Sequence, residues 1–193
     1  PSVAIIVAGK IRIKGAGTAR ITASQAGDSN YEAADDVVRQ LTVLPAPLTV
    51  SALSETKTYD GTAYDGGNGV TVSGFVYSDT EASLGGSVAY KGTSQGAKNA
   101  GSYTIVPEGY ISGNYLIRYE EAALEIVPAV LVITANDDSK EYDGSPYLGG
   151  NGVTYNGFVN GENETVLGGT LSYTGSSQGA VAVDTEDHYD IYP

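Results

Sequence analysis

A Tyr-Asp-Gly triplet that occurs twice is the most distinctive chemical feature of this 193-residue chain. The two copies are Tyr59-Asp60-Gly61 and Tyr142-Asp143-Gly144. A carboxylate beside a phenol can bind a ligand, but Asp-Gly is also a common tight-turn dipeptide, because glycine readily adopts positive φ. We therefore predict that both triplets are structural turns of a repeated motif, with no catalytic, cofactor-binding or metal-binding role.

Acidic clusters are the second candidate for chemistry, since carboxylate and carbonyl oxygens are the ligands that Ca²⁺ prefers. They are Asn136-Asp137-Asp138, Glu162-Asn163-Glu164 and Asp184 to Asp187. Ca²⁺ requires about six to eight oxygen ligands at once, and no cluster has the spacing of an EF-hand or of a calcium-binding nonapeptide repeat. We expect solvated loop acids and no cofactor, and Ca²⁺ at these loops is the alternative.

A cross-link or a catalytic base is the third candidate. Surface-fibre proteins can carry Lys–Asn isopeptide bonds beside an acid, and the required residue types occur at equivalent positions of the chain. They are Lys57, Asn68 and Glu81, and again Lys140, Asn151 and Glu164. Lysine in strands is usually solvated, so we expect no cross-link. His188 lies between acids without a signalled nucleophile, and we expect that the chain is not an enzyme.

The composition excludes several kinds of site and partner. The chain has no cysteine and a single histidine, which excludes disulfides, zinc–thiolate sites, Cys nucleophiles and two-His metal sites. Its net charge of −13 makes nucleic acid a poor partner, because binding requires clustered lysine and arginine. The longest apolar run, residues 126–133, is far shorter than the roughly 20 residues of a membrane-spanning helix. We expect no membrane insertion.

An internal repeat is the most informative pattern of the sequence. Residues 48–97 align with residues 131–180 at an offset of 83, without a gap and with 26 identities in 50 positions. Besides the triplets, the shared motifs are Gly-Gly-Asn-Gly-Val-Thr (66–71, 149–154), Gly-Phe-Val (74–76, 157–159), Leu-Gly-Gly (84–86, 167–169) and Ser-Gln-Gly-Ala (94–97, 177–180). Each repeat is expected to form one small module that packs against its neighbours.

Three segments follow from this alignment. We predict that residues 1–46 are the C-terminal part of a preceding β module, residues 47–129 a complete repeat, and residues 130–193 a second repeat that is incomplete at its C-terminus. Short proline-containing linkers, Pro45-Ala46-Pro47 and Pro128-Ala129, stiffen the connections. We therefore expect the modules to be held end to end. The chain contains no methionine, so we expect it to be a piece of a longer protein.

The periodicity predicts a mainly β fold. Apolar and polar residues alternate at 48–52 and 115–119, and paired glycines separate further segments. Two architectures for these small antiparallel modules remain open: a β-grasp-like sheet around a short helix, or an immunoglobulin-like sandwich. One short helix per repeat is predicted from a capping box at Ser78 to Glu81, and from Gly161 followed by Glu164 in the second copy.

The combined motifs resemble a known family. The order Lys-x-Tyr-Asp-Gly (57–61), Gly-Phe (74–75), Leu-x-Gly (84–86), Gly-x-Tyr (101–103) and Asn-Tyr (114–115) is similar to MBG and YDG-type repeat domains. These occur in tandem in long bacterial surface proteins, many described as adhesins. The resemblance implies an extracellular location and assigns no general ligand or reaction.

Two functions follow as expectations. The first is a structural stalk of a surface adhesin or fibre, with neighbouring repeats of the same chain as partners and head-to-tail self-association of its two ends. The second is recognition of a glycan or a host surface protein, for which tyrosines are the candidate residues because their rings stack on sugars. The candidates are Tyr64, Tyr77, Tyr110, Tyr147 and Tyr155.

Overall fold

The computed structural model describes residues 3–183 and 188–193. Strands dominate these residues, and their only helical segments are two single turns of 3₁₀ helix, Glu81–Ser83 and Glu164–Val166. The mainly β prediction is confirmed. The strands are β1 (Ala4–Val7), β2 (Lys10–Ile13), β3 (Gly17–Gln25), β4 (Ala34–Val43), β5 (Ala46–Ala52), β6 (Glu55–Thr58), β7 (Val70–Ser73), β8 (Gly85–Lys91), β9 (Gly101–Ile111), β10 (Tyr115–Glu120), β11 (Ala122–Val127), β12 (Val132–Ala135) and β13 (Val153–Asn156).

The first repeat contains two sheets. In the three-stranded sheet, β5 lies between β10 and β7, parallel to β10 and antiparallel to β7. The four-stranded sheet has the order β6-β11-β9-β8. The parallel pair departs from the purely antiparallel module that the sequence suggested. Parallel neighbours need a long crossover connection, and here the segment between β5 and β10 supplies it by building most of the other sheet.

The core of this repeat is formed by side chains of both sheets. Leu48 and Val50 of β5 are at most 1% exposed, and Ile105 of β9 and Leu124 of β11 are fully buried. The 3₁₀ helix of the first repeat buries no residue.

The predicted capping boxes are placed too early in both repeats. Thr80, not Ser78, precedes the first 3₁₀ helix, and its backbone N–H donates to Ser83 Oγ at 3.2 Å. Asn163, not Gly161, precedes the second, and its Oδ1 accepts from the Thr165 N–H at 3.0 Å. The residues upstream instead form tight turns, closed by a hydrogen bond from Asp79 N–H to Val76 O in the first repeat.

The second repeat is less regular than the first. Its strands β12 and β13 pair antiparallel in the register of β5 and β7. Residues 138–141 correspond to β6 but form no strand, and among residues 188–193 the sheet structure is one bridge from Tyr192 to Thr174. In the first repeat β6 pairs with β11, and no described residue of the second repeat takes that place.

The remaining strands form two hairpins, β1 with β2 and β3 with β4. No helix within the described residues is long and apolar enough to cross a membrane. The chain divides into two compact units. The first comprises residues 1–56, 64–97 and 102–125, and the second comprises residues 57–63, 98–101 and 126–193. The second unit therefore contains the Tyr-Asp-Gly loop of the first repeat together with the whole second repeat.

Candidate functional site: a contact between two repeats

The first Tyr-Asp-Gly loop is a tight turn held by its own aspartate. Asp60 accepts hydrogen bonds from the Thr62 N–H at 2.9 Å and the Thr62 hydroxyl at 2.7 Å, and it forms an ion pair with Lys57. Gly61 follows at φ +71°, a conformation that glycine adopts with little strain. The Lys57 ammonium and then the Thr62 donors hold the pKa of Asp60 well below its ordinary value.

The second loop has the same internal geometry. Asp143 accepts from the Ser145 N–H at 2.9 Å and pairs with Lys140, and Gly144 has φ +76°. The Lys140 contact, followed by the Ser145 bond, lowers the pKa of Asp143 as well. In both loops the carboxylate is already used by the turn itself.

The first loop makes a contact that the second loop does not make with any residue the structure describes. Tyr59 donates its hydroxyl hydrogen to Glu162 Oε1 at 2.5 Å, and Asn160 Nδ2 donates to the Gly61 carbonyl oxygen at 3.0 Å. We call Tyr59, Gly61, Asn160 and Glu162 the repeat contact. All four residues belong to the second unit, although two come from the first repeat and two from the second. The bond to Glu162 raises the pKa of Tyr59.

Gly61 also packs closely against the Asn160 side chain. Gly61 is buried, and a Cβ added to it would lie 2.6 Å from the Asn160 Cβ. Real Cβ atoms essentially never approach so closely. Glycine is thus required here for two reasons, the positive φ and the proximity of Asn160.

A mostly apolar cavity of about 310 Å³ borders the repeat contact within the second unit. Tyr59 and Ala100 of the first repeat, Ala129 of the linker, and Phe158 and Val166 of the second repeat are among its lining residues. The contact is therefore polar at Glu162 and Asn160 and incompletely packed beside them.

The corresponding surface of the second loop is open. Tyr142 is 72% exposed, and no atom lies within 4 Å of a Cβ added to Gly144. The Tyr142 ring lines a second cleft, of about 490 Å³, together with Ala182 and Val183. These two residues correspond to Asn99 and Ala100 beside Tyr59.

The turn that carries Asn160 also has a counterpart in the first repeat. Tyr77 stands at the position of Asn160, with φ +55° against +52°, and its side chain is fully exposed. Asp79 stands at the position of Glu162, and its Oδ2 accepts from the Tyr115 hydroxyl at 2.7 Å. The first repeat therefore holds this turn with its own tyrosine and presents an aromatic ring where the second presents an amide.

Other repeated motifs serve internal structure. The Gln95 side chain forms two hydrogen bonds with the backbone of Gly66, at 2.8 and 2.7 Å, and Gln178 forms the same pair with Gly149, both at 2.9 Å. The buried Ser94 and Ser177 precede these glutamines. The shared Gly-Gly and Ser-Gln-Gly-Ala sequences thus brace one loop in each repeat.

Among the described residues, the groups proposed for the alternative sites are not brought together. In the described part of the chain, no group of three or more His, Cys, Asp or Glu residues is placed to hold a metal ion, and the cluster at Asp184 to Asp187 lies outside the described residues. The isopeptide candidates have separate partners: Lys57 pairs with Asp60, Asn68 donates to Ser54 O at 3.0 Å, and Glu81 accepts from Tyr110. His188 Nε2 lies 3.9 Å from Asp190 on the surface.

Most candidate ligand-binding tyrosines have partners within their own repeat. The hydroxyls of Tyr64, Tyr110 and Tyr147 donate to Glu55, Glu81 and Asp138, respectively, and Tyr155 packs on Phe158 with ring centroids 5.5 Å apart. Burial, and then the bond to Asp138, raises the pKa of Tyr147 to about 12. Of the five candidates, Tyr77 alone is fully exposed.

Comparison with known families decides what kind of repeat this is. The family model of the MBG domain, YGX type, matches residues 48–125 and residues 131–191. The chain belongs to the MBG family. The resemblance inferred from the motifs is thereby confirmed, and both Tyr-Asp-Gly loops lie within the matched MBG repeats. No curated protein and no solved structure matches the chain. MBG domains are typical of extracellular surface proteins.

The sequence predicts both loops but not the contact that the first one makes. It indicates Tyr59 and Gly61 as parts of a turn, and no motif points to Asn160. The available signal was the difference between the copies: Asn160 and Glu162 stand where the first repeat has Tyr77 and Asp79, between the shared Gly-Phe-Val and Leu-Gly-Gly motifs.

Proposed function

We propose that this chain is part of the structural stalk of a bacterial extracellular adhesin or fibre. In this function the MBG repeats carry no catalytic activity and hold a distal binding region away from the cell. The repeat contact is the observation that supports it, since a stalk needs neighbouring modules to resist independent rotation. The short Pro128-Ala129 linker supports it too, because proline restricts the backbone between modules.

The nature of the contact suits this role. Two directional hydrogen bonds and the close packing of Gly61 on the Asn160 side chain fix the loop relative to the turn at residues 160–162. Hydrogen bonds that involve a carboxylate are stronger than neutral ones. The contact uses residues that a ligand would otherwise have to reach, and this favours a structural use of the Tyr-Asp-Gly motif.

Glycan or host-protein recognition is the weaker candidate. It needs exposed aromatic rings, and four of the five tyrosines proposed for it already have internal partners. Tyr77 supports it, but it is the only fully exposed ring among these five candidates, so the set provides one stacking contact. A glycan array probed with the intact chain tests it directly, and specific binding that Tyr77→Ala abolishes would favour this second function.

Backbone ¹⁵N relaxation of the whole chain tests the stalk proposal. Residues 48–125 and 131–183 are expected to report one common rotational correlation time. The double variant Tyr59→Phe/Asn160→Asp removes both hydrogen bonds of the repeat contact, and we expect it to give shorter, separate times for the two repeats. Tyr142→Phe, the equivalent change in the open loop, is the matched control and should leave the common time unchanged.

Separate correlation times in the unmodified chain would refute the proposal, because modules that rotate independently cannot act as a stiff stalk. A common time that survives the double variant would show instead that the linker, and not the repeat contact, couples the repeats.

A further inference from the structure

We propose that the open loop Tyr142-Asp143-Gly144 is a preformed docking surface for another MBG repeat, one whose turn carries Asn and Glu as residues 160–162 do. This inference rests on the proposed stalk function and names the partner that extends it. The repeat contact would then be one instance of a joint that each Tyr-Asp-Gly loop can make.

The open loop already has the shape of the docked one. Asp143 and Asp60 accept a backbone hydrogen bond at the same distance, 2.9 Å, and each pairs with the lysine three residues earlier. The φ angles of Gly144 and Gly61 differ by only 5°. Docking therefore requires little ordering of the loop, and preorganisation reduces the entropic cost of binding.

The open loop also presents the groups that the docked loop uses. The Tyr142 ring and hydroxyl are largely exposed, and the space above Gly144 is empty to at least 4 Å. Beside them, Val183 is 68% exposed at the position of Ala100, which lines the cavity of the repeat contact. The open loop thus presents all the groups that the first loop uses in the repeat contact, and none of the described residues docks on them.

The partner is restricted by the turn that receives the loop. An asparagine at the position of Asn160 supplies the amide that bonds the Gly61 carbonyl, and asparagine tolerates the positive φ found there. A tyrosine at this position, as in Tyr77, has no side-chain donor close to its backbone, because its hydroxyl lies at the far end of the ring. We infer that MBG repeats with Asn at this position accept a preceding loop through this bond, whereas repeats with Tyr do not.

An extended chain tests the inference. Pro193 aligns with Pro107, so appending residues 108–193 after Pro193 supplies the last strands of the second repeat and adds a further copy of residues 130–193. Gly144→Ala in the present chain should cost only the strain of a positive φ. In the extended chain, Gly144→Ala should lower the melting temperature by at least about 2 °C more than it does in the present chain. Gly61→Ala should have the larger effect in both chains, because its loop is docked in both.

Solvent access to the Tyr142 ring provides a second readout. A soluble paramagnetic agent should broaden the Tyr142 ring signals in the present chain, and the extended chain should protect them. Replacing the appended copy of Asn160 by Tyr in the extended chain is the matched control and should restore the broadening.

The outcomes separate the two proposals. If Gly144→Ala has the same effect in both chains while Gly61→Ala remains more harmful, the docking inference is wrong and the stalk proposal stands. If Gly61→Ala and Gly144→Ala have equal effects in the present chain, the repeat contact itself is absent and the stalk proposal loses its support.

A peptide titration decides the case if the extended chain does not fold. A cyclised peptide of residues 157–164 is added to the present chain up to about 5 mM, which detects binding with millimolar dissociation constants. The Gly144 amide signal should shift, and a peptide with Asn160→Tyr should shift it less. An unmoved Gly144 signal would overturn the inference.

Discussion

The two Tyr-Asp-Gly loops share their sequence and turn geometry and differ in their surroundings. Gly61 is buried against Asn160, whereas Gly144 has open space above it. Tyr59 donates to Glu162, whereas Tyr142 is 72% exposed. Local structure is thus the same in both copies, and the contact depends on which turn lies next to the loop.

This difference shows how one motif can have two levels of use. Within each loop, the aspartate and glycine satisfy the turn, with short-range partners that are always present. The turn does not use the tyrosine hydroxyl or the glycine carbonyl. These two groups form a docking surface only where another repeat supplies an acid and an amide. A repeated motif can therefore be structural within one repeat and an interface between two.

The largest expected contrast is between Gly61→Ala and Gly144→Ala. Each forces alanine into positive φ, at a cost of about 1–2 kcal/mol. Gly61→Ala also places a Cβ 2.6 Å from the Asn160 Cβ, and overpacking of this kind costs about 1–3 kcal/mol more. Urea denaturation of both variants measures the difference. Equal free energies of unfolding would contradict the docked position of the first loop.

Gly67→Ala and Gly150→Ala should, by contrast, behave alike. A Cβ on either glycine would lie 2.5 Å from a ring carbon, of Tyr90 in the first repeat and of Tyr173 in the second. We expect each change to destabilise the protein by about 1–3 kcal/mol, measured by thermal denaturation. Gly113→Ala, where no atom lies within 4 Å, is the control and should be close to neutral. A large effect in only one repeat would mean that the two Gly-Gly loops are not equivalent.

Exchanging the residues at the two equivalent turns should change stability less, and in opposite directions in the two repeats. Tyr77→Asn replaces an exposed residue at φ +55° by one that tolerates this region. We expect it to stabilise the first repeat by about 0.5–1 kcal/mol. Asn160→Tyr loses the bond to Gly61 and should destabilise the second unit. Calorimetry of both variants checks the signs, and stabilisation by Asn160→Tyr would refute the hydrogen bond to Gly61.

The smallest effect expected is a pH dependence of stability that arises from the docked loop. The pKa of Tyr59 is raised above its ordinary value of 10.0, mainly by its bond to Glu162. Stabilisation from this group is therefore complete below about pH 10 and is lost as the pH rises through the raised pKa. Tyr59→Phe should reduce the alkaline loss of stability, as followed by circular dichroism. An alkaline profile that this substitution leaves unchanged would count against the bond to Glu162.

Much of the fold was predictable because it depends on short-range patterns. Alternation at residues 48–52 indicated β5, and the Asp-Gly dipeptides indicated turns that the structure contains. The capping residues were misplaced because Val76 and Asp79 close a turn just before the 3₁₀ helix, and a turn and a cap draw on the same polar residue types. The parallel pairing of β5 with β10 joins residues distant in sequence, which no local pattern encodes.

The sequence by itself determined that this protein is a tandem pair of related β modules with acidic surfaces and no thiol chemistry. It also determined the shape of each Tyr-Asp-Gly loop, since Lys, Asp, Gly and Thr or Ser within six residues satisfy that turn. Only the tertiary structure decided that one loop is buried and the other is open. The reason is physical: burial depends on Asn160 and Glu162, about 100 residues away in sequence from the loop they contact, and such contacts arise from packing and not from local preference.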